Sequence, residues 1–331
     1  MEATIKDVAK LSGVSVATIS RVLNKSAVVS PETTEKVEAA IKELNYRPNF
    51  LGRNLRKRET NVILALVPST EHSYYSEIIH GMQKTAFTYG YSVLVSTTNS
   101  YLELEEKLLQ MLFNRTVDAA VLLGTRLSKE RLDEISETNC IAMCCEGVEG
   151  SGVLTVVIDN EKAAYDAVSY LINAGHRRIG MVSTEVRAPS SVAREAGYRK
   201  ALEDNGIEYD DTLMFRGSYD YYSGADALEQ FMKLEDKPDA VFAVSDFLAS
   251  GVLKKAVELN LKIGKNFSVM GFDNIKMAEM YTPSISTVEQ PCYKMGSTIA
   301  RLVIENISEG KNNCGKVVLE HRLVLRDSTG D

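Results

Sequence analysis

Arg21 carries a guanidinium fork that matches the O6 and N7 acceptors of guanine. In the stretch VATISRVLN it shares a helix-spaced face with Val16, Ala17 and Ser20. Val16 and Ala17 can offer only shape, or an apolar contact to a thymine methyl. A second set of chemically able residues follows apolar, strand-like runs farther along. Tyr74 and Tyr75 follow VILALVP, Glu146 follows IAMCC, Asp159 follows VLTVVI and Tyr219 follows MFRGS. Ser245-Asp246 follow VFAV, Asp273-Asn274 follow VMGF, and Arg194 opens the helical pattern REAGYRKAL. Aromatic faces stack on the apolar faces of sugars, while carboxylates and an arginine hydrogen-bond hydroxyls, so the set suits a polyol or sugar. Structural alternatives stand beside this reading. Asp159, Asp246 and Asp273 precede helices or turns and suit N-caps, and Tyr74 suits a surface position with Tyr75 in the core.

Catalytic chemistry finds little support. Glu146 and Asp273 are carboxylates of the kind glycoside hydrolysis uses, but nothing in their spacing pairs them. There is no GxSxG, HExxH or P-loop pattern, and the histidines are His72, His80, His176 and His321. His176 lies in LINAGHRRI, where a helical pattern gives way to a strand, so a structural role fits it best. The five cysteines (Cys140, Cys144, Cys145, Cys292, Cys314) form no CxxC pair and suit buried, reduced thiols in a cytosolic protein. No enzyme activity, cofactor or metal is expected.

The elements that must position these residues fall into two regimes. Thr4 with Asp7 forms a capping box that starts a helix, with Ile5, Val8, Ala9 and Leu11 or Ser12 as its apolar face. Gly13 ends that helix in a left-handed turn, and Ser15 caps a second whose inner side holds Ile19, Val22 and Leu23. Two short helices around a glycine turn form a helix-turn-helix, whose second helix can lie in the major groove of DNA. Any short amphipathic helix pair shares these features, so pattern alone leaves DNA binding open. Ser30 and Pro31 start a third helix to about Leu44, with Val37, Ala40, Ile41 and Leu44 inward. Arg47-Pro48-Asn49 breaks it, and Phe50 to Glu59 is a very basic short helix or linker.

From Val62 the rhythm becomes apolar runs alternating with amphipathic helices. Helical patterns begin near Tyr75, Leu102 and Ser128, and the alternation restarts after Val153. The second series predicts helices at 160–174, 191–205, 222–233 and 247–259, and strands at 178–183, 212–216, 240–244 and 267–271. Such alternation implies α/β architecture with parallel sheets, in two similar lobes. A chain of 331 residues exceeds one compact core, and 44% hydrophobic with 25% charged residues is ordinary for a soluble protein. The net charge of -7 is unevenly spread. Residues 1–60 hold 11 Lys+Arg against 7 Asp+Glu, while the remainder holds 27 against 38. A basic head on an acidic body fits contact with nucleic acid at one end only. No apolar signal segment or membrane span is apparent, which predicts a cytoplasmic protein with no membrane partner.

TIKDVAKLSGVSVATISRVLN, followed by SPETTEKVEAAIKELNYRPN and LGRNLRKRET, resembles the head of the lactose repressor and galactose repressor (LacI/GalR) family of bacterial transcription regulators. The resemblance continues along the whole chain. It implies an all-α helix-turn-helix head at 1–48, a hinge helix or linker at 49–60, and a two-lobed body at 61–331. That body would be periplasmic-binding-protein-like, with two doubly wound parallel sheets. Lobe 1 would take 61–160 and 291–322, and lobe 2 161–290 and 323–331, with the closing segment crossing between them.

The resemblance further implies a homodimeric regulator, most simply a repressor, on double-stranded operator DNA. Thr4, Thr18, Asn24 and the hinge bases Arg53 and Arg56 would hold phosphates, and Leu55 matches the leucine that wedges into the minor groove. Gly52 replaces a common alanine there and weakens hinge folding. A sugar or sugar-phosphate effector would bind between the lobes, with Arg194, Tyr219 and Asp273 at the family's arginine, aromatic and aspartate. Glu146 replaces an aspartate of a related member and Ser245 an asparagine, which leaves the ligand's identity open.

PCYKMGSTIARLVIENI resembles the segment by which the catabolite-control branch docks a phosphorylated carrier protein (HPr). Tyr293 and Arg301 match, Lys294 and Glu305 reverse the charges found there, and a dimer-interface helix is the favoured reading. A dimer is expected because the chain stops at Asp331 without leucine heptads. A solute-binding protein without DNA function is the remote alternative.

Overall fold

The computed structural model describes residues 3–24, 28–46, 59–310 and 313–330. Two compact units divide at Glu59 and Thr60. In the first unit, α1 (Ile5–Ser12), α2 (Val16–Asn24) and α3 (Pro31–Glu43) surround a small core of Val8, Ile19, Val37 and Ala40. The local sequence accounts for each boundary. The Asp7 carboxylate accepts from the Thr4 amide (2.8 Å) and hydroxyl (2.6 Å). Gly13, at φ 69°, turns the chain, the Ser15 hydroxyl accepts from Thr18 N at 3.2 Å, and Ser30 caps α3 ahead of Pro31. The choice between Leu11 and Ser12 is resolved. Leu11 is exposed, and the Ser12 hydroxyl returns to the Val8 carbonyl at 2.6 Å.

The second unit holds two six-stranded sheets. In the first lobe the strands run in the order β11-β5-β4-β3-β1-β2, all parallel. They are β1 (Val62–Val67), β2 (Ser92–Thr97), β3 (Ala119–Leu122), β4 (Cys140–Cys144), β5 (Leu154–Ile158) and β11 (Lys316–Leu319). The helices between them are α4 (Ser73–Thr88), α5 (Leu102–Phe113) and α6 (Lys129–Thr138). Asp118 anchors the start of this lobe, accepting from Thr60 N and Asn61 N, each at 2.7 Å.

The second lobe has the order β12-β10-β9-β8-β6-β7. Its strands are β6 (Ile179–Thr184), β7 (Met214–Gly217), β8 (Ala240–Ala243), β9 (Ser268–Asp273), β10 (Ser286–Glu289) and β12 (Arg322–Val324). Its helices are α7 (Asn160–Asn173), α8 (Pro189–Asp204), α9 (Tyr221–Phe231) and α10 (Asp246–Glu258). The expectation of purely parallel sheets needs one correction. Strand β12 pairs antiparallel with β10, because it returns from the first lobe without a helical crossover. The strand expected at 212–216 starts two residues late, since Asp210 caps a short 3-10 turn at Asp211–Leu213.

Helix α11 (Cys292–Glu309) packs on α4 at backbone distance. A Cβ on Gly296 would overlap the Ile78 carbonyl, and one on Gly81 would overlap the Tyr293 carbonyl. Gly296→Ala is therefore expected to lower body stability by at least about 1–3 kcal/mol, the usual cost of overpacking. The urea midpoint of the body transition reads this, and an unchanged midpoint would contradict the packing described.

Candidate functional site

On α2, Ala17 and Arg21 are exposed, Val16, Thr18 and Ser20 are half-buried, and Ile19 faces the core. Residues four apart share a helix face, so Ala17 and Arg21 stand one above the other away from the core. Thr4 keeps its hydroxyl on Asp7, and Asn24 ends the helix. Arg53, Leu55 and Arg56 lie outside the described residues.

Between the two lobes of the body lies a cavity of about 610 Å³. It opens at the carboxyl ends of β1, β3, β6 and β8, where each sheet reverses its winding direction, the usual place for a crevice in this architecture. Tyr74, Tyr75, Glu146, Arg194, Tyr219 and Asp273 all line it.

Arg194 is buried on its floor. Its guanidinium donates to the Val244 carbonyl (2.6 Å) and Asn160 Oδ1 (2.9 Å), lies over the Phe272 ring at 3.6 Å, and stands 3.8 Å from Asp273. Asp273 ends β9 with φ 108° and accepts from Gln290 Nε2 at 2.7 Å and the Tyr219 hydroxyl at 3.4 Å. The Tyr74 hydroxyl donates to Gln290 Oε1 at 3.1 Å, so tyrosine, glutamine, aspartate and arginine form one chain across the floor.

Burial pushes the Asp273 carboxyl up to about 6, with the Arg194 charge opposing the rise. Its folded-state value lies above the unfolded one, so the native state holds more protons between about pH 4 and 6. Asp273 therefore destabilises the fold above pH 6 by about 3 kcal/mol, and that cost is relieved as pH falls towards 4. Asp273→Asn is expected to remove this component. Its stability profile should gain most over the parent at pH 7–8 and converge with it near pH 4. Parallel curves from chemical denaturation would refute the assignment.

The two lobes also touch directly. Glu146, beyond β4, accepts from Ser190 N at 3.0 Å and from the Ser190 hydroxyl at the start of α8, and burial raises its carboxyl above the ordinary range. The His72 ring meets the Tyr219 ring edge-on at 4.6 Å, and burial lowers its imidazole.

Three expected site residues do not line the cavity. Asp159 is exposed and caps α7, accepting from Lys162 N at 2.9 Å. Ser245 is fully buried and caps α10, accepting from Leu248 N at 3.2 Å. Asp246 is also fully buried and ties α10 to the neighbouring strands, accepting from Thr287 Oγ1 (2.6 Å) and Ile275 N (2.8 Å). Ser245 is the cap where Asp246 was one candidate, and its hydroxyl reaches the cavity only through Tyr219.

Sequence reasoning missed His72, Ser190 and Gln290, along with Asn160 as the partner of Arg194. Gln290 directly follows β10, so the rule that selected Asp273 would have selected it too. Ser190 had no comparable signal, because its partner Glu146 lies 44 positions away. The cysteines also depart from expectation. Cys144 and Cys145 are buried, Cys140 and Cys292 are half-buried, and Cys314 is exposed on the segment before β11. Among the described residues no group of acidic, histidine and cysteine side chains has the arrangement of a metal site, and no helix is long and apolar enough to cross a membrane.

Residues 4–49 match the sequence model of "Bacterial regulatory proteins, lacI family", and residues 60–326 match that of "Periplasmic binding proteins and sugar binding domain of LacI family". The chain belongs to the LacI family. Catabolite control protein A of Priestia megaterium is 32% identical over 331 residues, spanning 99% of this chain and 100% of that protein. The HTH-type transcriptional repressor CytR of Escherichia coli (strain K12) is 34% identical, spanning 99% and 96% of the two chains. The lac repressor dimer bound to operator and the anti-inducer ONPF superposes with a TM-score of 0.89 at 27% identity, covering 99% of both chains. The CelR–cellobiose complex superposes with a TM-score of 0.74 at 32% identity, covering 98% of this chain and 99% of that one. This LacI-family chain is accordingly a DNA-binding transcription regulator with a sugar-binding type of body.

Proposed function

We propose that the protein represses carbohydrate-related genes as a homodimer on a pseudo-palindromic operator, and that a sugar-like effector bound between the lobes sets its operator affinity. The head at 1–48 reads DNA through Val16, Ala17, Ser20 and Arg21, with Thr4, Thr18 and Asn24 on phosphates. The segment 49–60, with Arg53, Leu55 and Arg56, links it to the body at 61–331. The observation that carries the effector reading is the floor of the cavity, where Arg194, Asp273, Tyr219 and Tyr74 present donors, acceptors and aromatic faces from both lobes, with Gln290 linking Tyr74 to Asp273.

The direct contact of Glu146 with Ser190 joins the two walls of the cavity, and it is made only while the lobes are together. A ligand that binds one arrangement better shifts the population, and a typical coupling of about 1–3 kcal/mol changes operator affinity about 5–150-fold. Lobe 1 also carries exposed Phe87, Tyr89 and Leu94, the last on the edge strand β2, a surface suited to a second copy. The acting compartment is the cytoplasm, with no catalytic role.

Fluorescence-anisotropy titration onto DNA from the protein's own upstream region, in a salt series with and without sugars, tests this reading. Tight, sequence-selective, salt-dependent binding that one sugar alters is expected. Weak binding equal on every sequence would refute the regulator on that DNA.

Similarity to catabolite control protein A favours a second reading, in which phosphorylated HPr is the main co-effector. Tyr293 is half-exposed on α11 near His80, but Glu305 holds the Arg301 guanidinium at 2.8 and 3.0 Å. That internal pair competes with a phosphoserine for Arg301. Operator binding that responds to phosphorylated HPr and to no sugar would favour this second reading.

A further inference from the structure

The cavity extends well past the Arg194–Asp273 floor, and its outer end has a different chemistry. There the walls are the loops after β2 and β3 on one lobe and the segment from Thr184 to Ser191 on the other. Each wall carries one arginine, Arg126 on the first lobe and Arg187 on the second.

One of these cations is unpaired and the other shares its carboxylate. Arg126 is exposed and its guanidinium makes no hydrogen bond or ion pair among the described residues. Glu105, a carboxylate of the same wall, is 1% exposed and spends one oxygen on the Thr125 hydroxyl and the other on the Arg126 amide. Arg187 donates to Glu195 at 2.9 Å, but that carboxylate is already satisfied by Arg216 (3.0 and 2.6 Å) and the Ser183 hydroxyl (2.8 Å). Two guanidinium groups thus share one carboxylate, and releasing Arg187 leaves Glu195 paired.

The remaining acids of the cavity are committed to protein donors, Glu146 to Ser190 and Asp273 to Gln290 and Tyr219. A cavity with acceptors and aromatics at its floor, and at its mouth one unpaired guanidinium and one that shares its carboxylate, is polarised along its length.

Resting on the sugar-effector reading above, we propose that Arg126 and Arg187 form an anion subsite, and that the effector is a sugar bearing a phosphoryl or carboxylate group, its polyol part inward. Planar guanidinium groups bind both anions through paired hydrogen bonds. An anion held by one arginine from each lobe is gripped only when the lobes are together. Its binding energy therefore falls differentially on the closed arrangement, which is what an effector needs in order to shift an equilibrium.

The test is calorimetric titration of the full chain with glucose 6-phosphate, fructose 6-phosphate, glucuronate, glucose, fructose, cellobiose and inorganic phosphate, alongside R126A and R187A. At least one charged sugar is expected to bind about tenfold or more tighter than its neutral parent. Each arginine variant should weaken the charged sugar about tenfold while leaving the neutral parent unchanged. The phosphate and carboxylate arms tell the two anions apart. The unliganded melting temperature of each variant confirms folding.

A neutral sugar that binds as tightly as its charged form and alters operator binding would overturn the anion subsite and leave the effector reading standing. Loss of charged and neutral ligands in equal measure on Arg→Ala, or binding of inorganic phosphate with no gain from a sugar, would also overturn it. Specific operator binding that no member of the panel alters, with none of them bound, would overturn both.

Discussion

Replacing Arg21 with alanine is expected to cost a dimer about 2–6 kcal/mol of operator discrimination, because each half-site loses a contact worth roughly 1–3 kcal/mol. Arg21 is exposed on the face of α2 opposite Ile19, has no partner among the described residues, and stands one turn beyond Ala17. Nothing in the fold of the head depends on it, so the variant should melt like the parent. Binding to unrelated DNA should fall little, since it rests on phosphate contacts spread over several residues. Effector binding should be untouched. Anisotropy titrations on operator and on scrambled DNA separate these terms. If affinity falls equally on both, Arg21 contacts phosphate and not a base.

Arg194→Ala is expected to act at the other end of the chain, and on two properties at once. It should abolish the response to effector, because Arg194 is the only cation on the cavity floor among the described residues. It should also destabilise the body. The substitution leaves the Val244 carbonyl without its donor and Asp273 buried without its counter-charge. Breaking a buried pair from one side costs about 3–5 kcal/mol.

The pH dependence distinguishes this from a simple cavity. Arg194 opposes the rise that burial imposes on Asp273, so its removal lifts that carboxyl further above about 6. A protonated Asp273 needs no counter-charge, so the deficit should shrink as pH falls from 7.5 towards 5. Chemical denaturation at both values measures it. A deficit independent of pH would mean that Arg194 stabilises through its hydrogen bonds to Val244 and Asn160 and its packing on Phe272, not through its charge on Asp273. Operator binding by folded protein should persist, and its loss in parallel with effector response would contradict the separation of head and body.

Much of the chain was legible without coordinates because its signals are local. Thr4, Gly13, Ser15, Ser30 and Pro31 act on backbone groups within one turn, so the boundaries of α1, α2 and α3 follow from neighbouring residues alone. Buried parallel strands need apolar residues on both faces, and VILALV, AAVL and LTVVI carry that requirement openly. Of the candidates taken from the ends of such strands, Tyr74, Glu146, Tyr219 and Asp273 line one cavity, together with Arg194 from a helix.

Tertiary structure decided which of them serve as scaffold. Asp159, Ser245 and Asp246 occupy the same kind of position as Asp273, yet two cap helices and one ties α10 to β10 and to the segment after β9 inside lobe 2. The difference is where a backbone donor lies within reach, and for Asp246 that donor is Ile275, 29 positions away. The bond between Glu146 and Ser190, the antiparallel β12 and the arginine pair at the mouth depend likewise on two lobes meeting. The sequence by itself determined the reading head, the alternating body and the candidate binding residues, because turns, caps and strand faces are short-range physics. Which side chains share a cavity depends on contacts spanning tens to hundreds of residues, and only the closed fold supplies them.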